Sequence, residues 1–93
     1  MPAIDIYYAS ICDLCTKALE FLRSRNVTFT AYAVEWDGGR DEFVDSDNVR
    51  EMYRRCGKRV DFVPQIFIGD IHISGWRQLE PMIESGEIDE LLP

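Results

Sequence analysis

The stretch Ile4-Asp5-Ile6-Tyr7-Tyr8-Ala9-Ser10-Ile11-Cys12-Asp13-Leu14-Cys15-Thr16-Lys17-Ala18-Leu19-Glu20-Phe21-Leu22 changes its hydrophobic period once, at a pair of cysteines. Ile4 to Ala9 is a short apolar run of strand-forming residues, broken only by Asp5, and reads as a buried strand. From Cys12 to about Arg25 the pattern changes: Cys15, Ala18, Leu19 and Leu22 fall at i, i+3, i+4 and i+7. That spacing puts them on one face of a helix, with Lys17, Glu20 and Arg23 outside it. The Cys12-Asp13-Leu14-Cys15 motif therefore sits at a strand-to-helix junction.

Working outward, Asn26 can stop this helix, and Val27 to Val34 reads as a second strand of β-branched and aromatic residues. Trp36 to Asp47 is acidic, carries Gly38-Gly39, and reads as a loop. Ser46 or Asp47 can cap a second helix, whose apolar face is Val49, Met52, Tyr53 and Cys56 and whose C-cap is Gly57. Pro64 opens a strand over Gln65 to Ile68; Gly69-Asp70 turns it, and Ile71 to Ile73 returns as its partner. A last helix carries Leu79, Met82 and Ile83 and ends at Gly86, after which Ile88, Leu91 and Leu92 add apolar contacts. The order β-α-β-α-β-β-α makes the first two strands parallel and the last two an antiparallel hairpin. No internal repeat or low-complexity segment interrupts the chain.

With 93 residues the chain is one domain, 1–93. Its 46% hydrophobic content supplies a packed interior. Seventeen acidic against ten basic residues give a net charge of −7, which argues against nucleic acid and against anionic membrane surfaces. No run approaches the roughly 18 to 20 apolar residues of a membrane span, and the first residues lack the pattern of a signal peptide. Three cysteines, two of them three positions apart, do not make a secreted disulfide framework. A monomer in a reducing cytoplasm is the expectation.

Two thiols three residues apart at a helix start lie on one turn and can bridge. Cys12 would stand where unpaired N–H groups and the helix dipole favour negative charge. In such a place a thiol's pKa falls from about 8.5 toward neutrality, producing the nucleophilic thiolate. Cys15, one turn inside, would displace the product from the mixed disulfide. The Asp13 carboxylate opposes thiolate formation, so the pair is expected to be a reductant rather than an oxidant. The competing reading is a zinc or iron–sulfur module using the CxxC, which for zinc would need Cys12, Cys15, Cys56 and His72 together. A redox-inactive interaction domain is a third. Cys56 reads more simply as a core residue and His72 as structural, because a helix-activated thiol needs no base. No metal site is expected.

With the dithiol, Val63-Pro64 before a strand, and Ser74-Gly75 after its hairpin partner, the chain resembles glutaredoxins over nearly its whole length. The resemblance implies a thioredoxin-like α/β fold, a mixed four-stranded sheet flanked by helices, and thiol–disulfide oxidoreductase activity. Cys12 and Cys15 would be catalytic. Leu14, Val63, Pro64, Gly75, Trp76, Arg77 and Gln78 would bind substrate. About one X–Pro bond in twenty is cis in folded proteins, yet the resemblance implies a cis Pro64, with Val63 offering its backbone to an extended substrate. Gly75 matches a glycine that lets backbone approach glutathione, the implied cosubstrate, and no bound cofactor is required. Several positions depart from the pattern. Asp13-Leu14 replaces Pro-Tyr, Ala9 stands where a basic residue is usual, and Arg77 where an acid contacts glutathione; Lys58 or Arg59 would remain for its glycine carboxylate. Ser74-Gly75-Trp76-Arg77 is also similar to the Ser-Gly-Phe-Arg segment of glutaredoxin-like redoxins. Those serve ribonucleotide reductase and are recharged by thioredoxin reductase. Partners on these grounds are disulfide-containing proteins, with glutathione or thioredoxin reductase as reductant. Trp76 reads equally as a cover over the last helix and as a docking residue.

Overall fold

The strand hydrogen bonds of the computed structural model, which describes residues 2–93, assemble a four-stranded sheet around the segment quoted above. Strand β1 (Ile4–Ala9) pairs parallel with β2 (Thr30–Val34) and antiparallel with β5 (Gln65–Ile68), which pairs antiparallel with β6 (Ile71–Ser74). The sheet order is β2-β1-β5-β6. Helices α1 (Asp13–Ser24), α2 (Asp47–Cys56) and α3 (Trp76–Ser85) occupy the expected places. The fold is the mixed, helix-flanked sheet that the sequence implied.

Alternation along β1 and β5 builds a core on each side of the sheet. Ile4, Ile6, Ile66 and Ile68 point to one side, where Ala18, Phe21 and Leu22 of α1 and Leu79 of α3 meet them. Tyr7 and Phe67 point to the other, against Val49 and Met52 of α2 and against Val34, Phe43 and Val60. Asp5, on that second side, pairs with Arg55 of α2 at 3.0 Å, and the guanidinium lies 4.2 Å above the Phe67 ring centroid. The helix on each face is therefore fixed by the strand residues of matching parity.

Three boundaries differ from the sequence reading. The second strand starts at Thr30, not Val27, because the β1 ladder begins at Asp5 opposite Thr30. Val27 and Phe29 instead pack against the first core from outside the sheet. The segment read as a loop holds a two-stranded hairpin, β3 (Trp36–Asp37) with β4 (Glu42–Phe43). Asp37 Oδ1 accepts hydrogen bonds from the N–H groups of Gly39 and Arg40 at its turn, and Trp36 meets Phe43 edge-on at 4.9 Å. The tail forms a short helix, α4 (Glu87–Leu91), which buries Ile88. Of the two candidate caps of α2, Ser46 is the one used: its Oγ accepts from Val49 N at 3.1 Å. Asp47 instead pairs with Arg50 in the first turn. Gly57 closes α2 at φ +78°, and Asn26 follows the end of α1 at φ +56°.

Candidate active site

Cys12 is the N-cap residue of α1, with extended backbone at φ −159° and ψ 106°. Its Sγ accepts a hydrogen bond from Cys15 N at 3.2 Å, filling the place a serine or aspartate oxygen takes at other helix starts. Its carbonyl receives the first helical bond, from Thr16 N at 3.1 Å, and a second from Thr16 Oγ1 at 3.2 Å. The chain thus holds this sulfur at the electropositive end of a twelve-residue helix. Cys12 is half-buried, with a face open to solvent.

Cys15 differs from it in every physical respect. It is 1% exposed, in the apolar stripe of α1. Burial pushes its thiol up to about 12, and a hydrogen bond with Cys12 adds to the rise, while a backbone hydrogen bond at Ala9 opposes it. The dithiol therefore pairs one accessible sulfur with one kept protonated inside the protein.

A third side of the site comes from the loop before β5. The Val63–Pro64 peptide bond is cis, as the resemblance implied. The Val63 carbonyl lies 3.8 Å from Cys12 Sγ, which donates to it. Pro64 is buried, and its carbonyl accepts from Gly75 N at 2.9 Å. Among the described residues no backbone group pairs with the Val63 N–H. Gly75, at φ +84° and ψ 166°, is the N-cap of α3. A Cβ there would come within 2.9 Å of Cε2 of Phe62. The face of Gly75 that lacks a side chain is therefore packed by a ring of the same chain.

The remaining expected residues spread around this centre. Leu14 is 42% exposed beside the dithiol. Trp76 packs partly buried against the first core, with Lys17 Nζ 5.8 Å from its ring centroid, which fits the covering role. Arg77 points to solvent. Gln78, though exposed, turns its Oε1 back to accept from Ser74 N at 2.8 Å, anchoring the start of α3. Lys58 is exposed, whereas Arg59 lies 3.6 Å from Glu42 and 5.6 Å over the Tyr53 ring, drawn toward the hairpin. Two residues were missed: Ile11, 97% exposed next to Cys12, and Phe62, 45% exposed next to Val63. An apolar Ile11 off both the strand and helix periods was the available signal. Nothing in the sequence marks Phe62, whose place depends on contact with Gly75.

Cys56 and His72 meet each other rather than the dithiol. Cys56 Sγ is 3.7 Å from His72 Nε2 and 3.7 Å from Gln65 Oε1, at the edge of the second core. Burial raises the Cys56 thiol against the opposing charges of Arg55 and Lys58; burial also lowers His72, helped by Lys58 and Arg55. The imidazole stacks on Phe67 with centroids 4.6 Å apart. Among the described residues no three His, Cys, Asp or Glu side chains converge on one point. A depression of about 460 Å³ between the hairpin and α2, lined in part by Phe43, Arg50 and Tyr53, includes neither the dithiol nor the Val63–Pro64 loop.

This fold, with two unlike thiols opening a helix, defines a thiol–disulfide oxidoreductase of the thioredoxin type. The glutaredoxin family profile matches residues 4–73. Glutaredoxin 3 of Escherichia coli K12 is 32% identical over 92 residues, covering 99% of each chain. The glutaredoxin of Pseudomonas aeruginosa is 32% identical over 92 residues, covering 99% of this chain and 98% of that one. Among solved structures, Brucella melitensis glutaredoxin superposes with a TM-score of 0.69 at 27% identity, over 99% of this chain and 89% of that one. A buckwheat glutaredoxin–glutathione complex shares the fold, with a TM-score of 0.67 at 19% identity, over 98% of this chain and 76% of that one. The chain belongs to the glutaredoxin family.

Proposed function

We propose that the protein reduces protein disulfides and glutathione mixed disulfides by dithiol exchange, with Cys12 as nucleophile and Cys15 as resolving thiol. The observation that carries this reading is the asymmetry of the two sulfurs across one helical turn. The Cys12 thiolate attacks a substrate disulfide, forming a new S–S bond and expelling one substrate sulfur as a thiolate that takes up a proton. Burial is the main cause that raises the Cys15 thiol, but once Cys12 is in the mixed disulfide its hydrogen bond and charge no longer add to that rise. Cys15 then gives up its proton and attacks Cys12 Sγ, the Cys12–substrate S–S bond breaks, and the second substrate sulfur leaves as a thiolate that takes up a proton. Two electrons have passed to the substrate, and the protein holds a 12–15 disulfide.

Val63, with its N–H unpaired among the described residues and its carbonyl facing Cys12, would pair with the backbone of an extended substrate, with Pro64 behind it. Exposed Leu14 and Ile11 would flank the entering chain, and Gly75, Trp76, Arg77 and Gln78 would form the far rim. Ribonucleotide reductase is a client of this class on resemblance alone. The proposed setting is a monomer acting as one domain in a reducing cytoplasm. Among the described residues no helix is long and apolar enough to cross a membrane.

Family membership supports glutathione, the ligand of the buckwheat protein, as cosubstrate. The Phe62 ring against Gly75, together with alanine rather than a cation at position 9, favours a second reading in which thioredoxin reductase recharges the dithiol. Reduction of a protein disulfide is measured with glutathione, its reductase and NADPH, and in parallel with thioredoxin reductase and NADPH. Turnover in either mixture, lost in Cys12→Ser, is expected; turnover that survives Cys12→Ser would refute the function. Cys15→Ser is expected to accumulate a protein–substrate adduct, seen as a mass increase removed by dithiothreitol.

A further inference from the structure

Gln65 is the one polar side chain in the fully buried set among the described residues, at 0% exposure. It stands at the start of β5, where its neighbours Ile66, Phe67 and Ile68 are all buried and apolar. Burying an amide is favourable only when its donors and acceptor are matched, and a leucine would fill the same space without that demand. The amide is matched, and one of its partners is the residue just before Val63. Nε2 donates to the Phe62 carbonyl at 3.1 Å. That bond fixes the amide's orientation and leaves Oε1 facing His72 Nε2 at 2.7 Å. Oε1 can only accept, so His72 carries its proton on Nε2 and donates. The imidazole is in turn held flat on Phe67.

Phe62 is therefore gripped twice, at its carbonyl by Gln65 and at its ring by the side-chain-free face of Gly75. The next residue is Val63, whose carbonyl faces Cys12 Sγ, and the residue after that is tied through its own carbonyl to Gly75 N. The loop is pinned on both sides of Val63. We propose that Gln65, oriented by His72, is a positioning residue that sets the Val63 backbone at the angle and distance an extended substrate needs beside Cys12. This rests on Val63 serving as the substrate platform, and the test separates the two ideas.

Single-turnover rates of the prereduced protein are measured against a glutathionylated ten-residue peptide and against bis(2-hydroxyethyl) disulfide, which has no peptide backbone to align. Gln65→Met keeps the volume and removes the side chain's hydrogen bonds to Phe62, His72 and Cys56. It is expected to slow the peptide reaction by about tenfold relative to the small disulfide, through a higher half-saturating peptide concentration, a loss of the size expected for one aligned hydrogen bond. Because a change at a fully buried residue risks the fold, His72→Phe is measured alongside; it keeps the stacked ring, removes only the donor, and is expected to move the ratio the same way by a smaller factor. An unchanged ratio in both variants, whether both rates fall together or neither falls, overturns the positioning role. A wild-type protein that shows no preference for the peptide overturns the Val63 platform instead, and leaves dithiol exchange by Cys12 standing.

Discussion

Replacing Gly75 with alanine would set a methyl carbon 2.9 Å from Cε2 of Phe62, at a φ of +84° that L-residues rarely adopt. The expected destabilisation is about 2–4 kcal/mol, combining overpacking with backbone strain, and is read from urea denaturation. Adding Phe62→Ala should recover the steric share and leave the backbone share, so the double variant falls between wild type and Gly75→Ala. At this scale the sequence was most informative where chemistry repeats. Cys12 and Cys15 were legible because two thiols need a fixed spacing at a helix start, and Val63 and Pro64 because a whole segment resembled a family pattern. Phe62 and Gln65 lie in that same segment, but their contacts were not legible. Each acquires its place only through a partner distant in the chain, Gly75 for one and His72 for the other, and no local spacing announces such pairs.

Helix α2 begins on Ser46, whose Oγ accepts from Val49 N, and Ser46→Ala is expected to cost about 1 kcal/mol, measured as a lower midpoint at unchanged denaturant slope. The two long-period helices, α1 and α2, were readable because their apolar residues recur along one face and their ends carry capping residues. Hairpin β3–β4 was hidden for the opposite reason. Strands of two residues are too short to show alternation, and its stability comes from Trp36 meeting Phe43 and from Asp37 closing the turn. Val27 and Phe29 were assigned to a strand because they have strand-forming side chains. They are partly buried as such residues should be, yet the ladder with β1 has not started there. Burial and hydrogen-bond register are separate conditions, and the sequence reports mainly the first.

The whole molecule keeps several ionisable groups neutral inside. Cys15 and Cys56 have raised pKa values from burial, and Tyr7 is raised the same way despite its hydrogen bond to Arg55. Above about pH 8.5 unfolded thiols lose protons that the folded protein retains, so stability falls as pH rises. His72 is held neutral, chiefly by burial, so below about pH 6.5 the unfolded chain takes up a proton that the folded one resists, and stability falls as pH drops. Thermal midpoints are expected to form a plateau between about pH 6.5 and 8.5; a midpoint still climbing at pH 9.5 would contradict the buried-thiol account. The chemistry at the start of α1 has an architectural corollary. The sulfur proposed to react is also the acceptor that begins the helix, and an alcohol oxygen accepts there at least as well as sulfur does. A hydroxyl in its place would keep the cap while removing the proposed nucleophile, so Cys12→Ser can separate the assembly of the scaffold from thiol exchange.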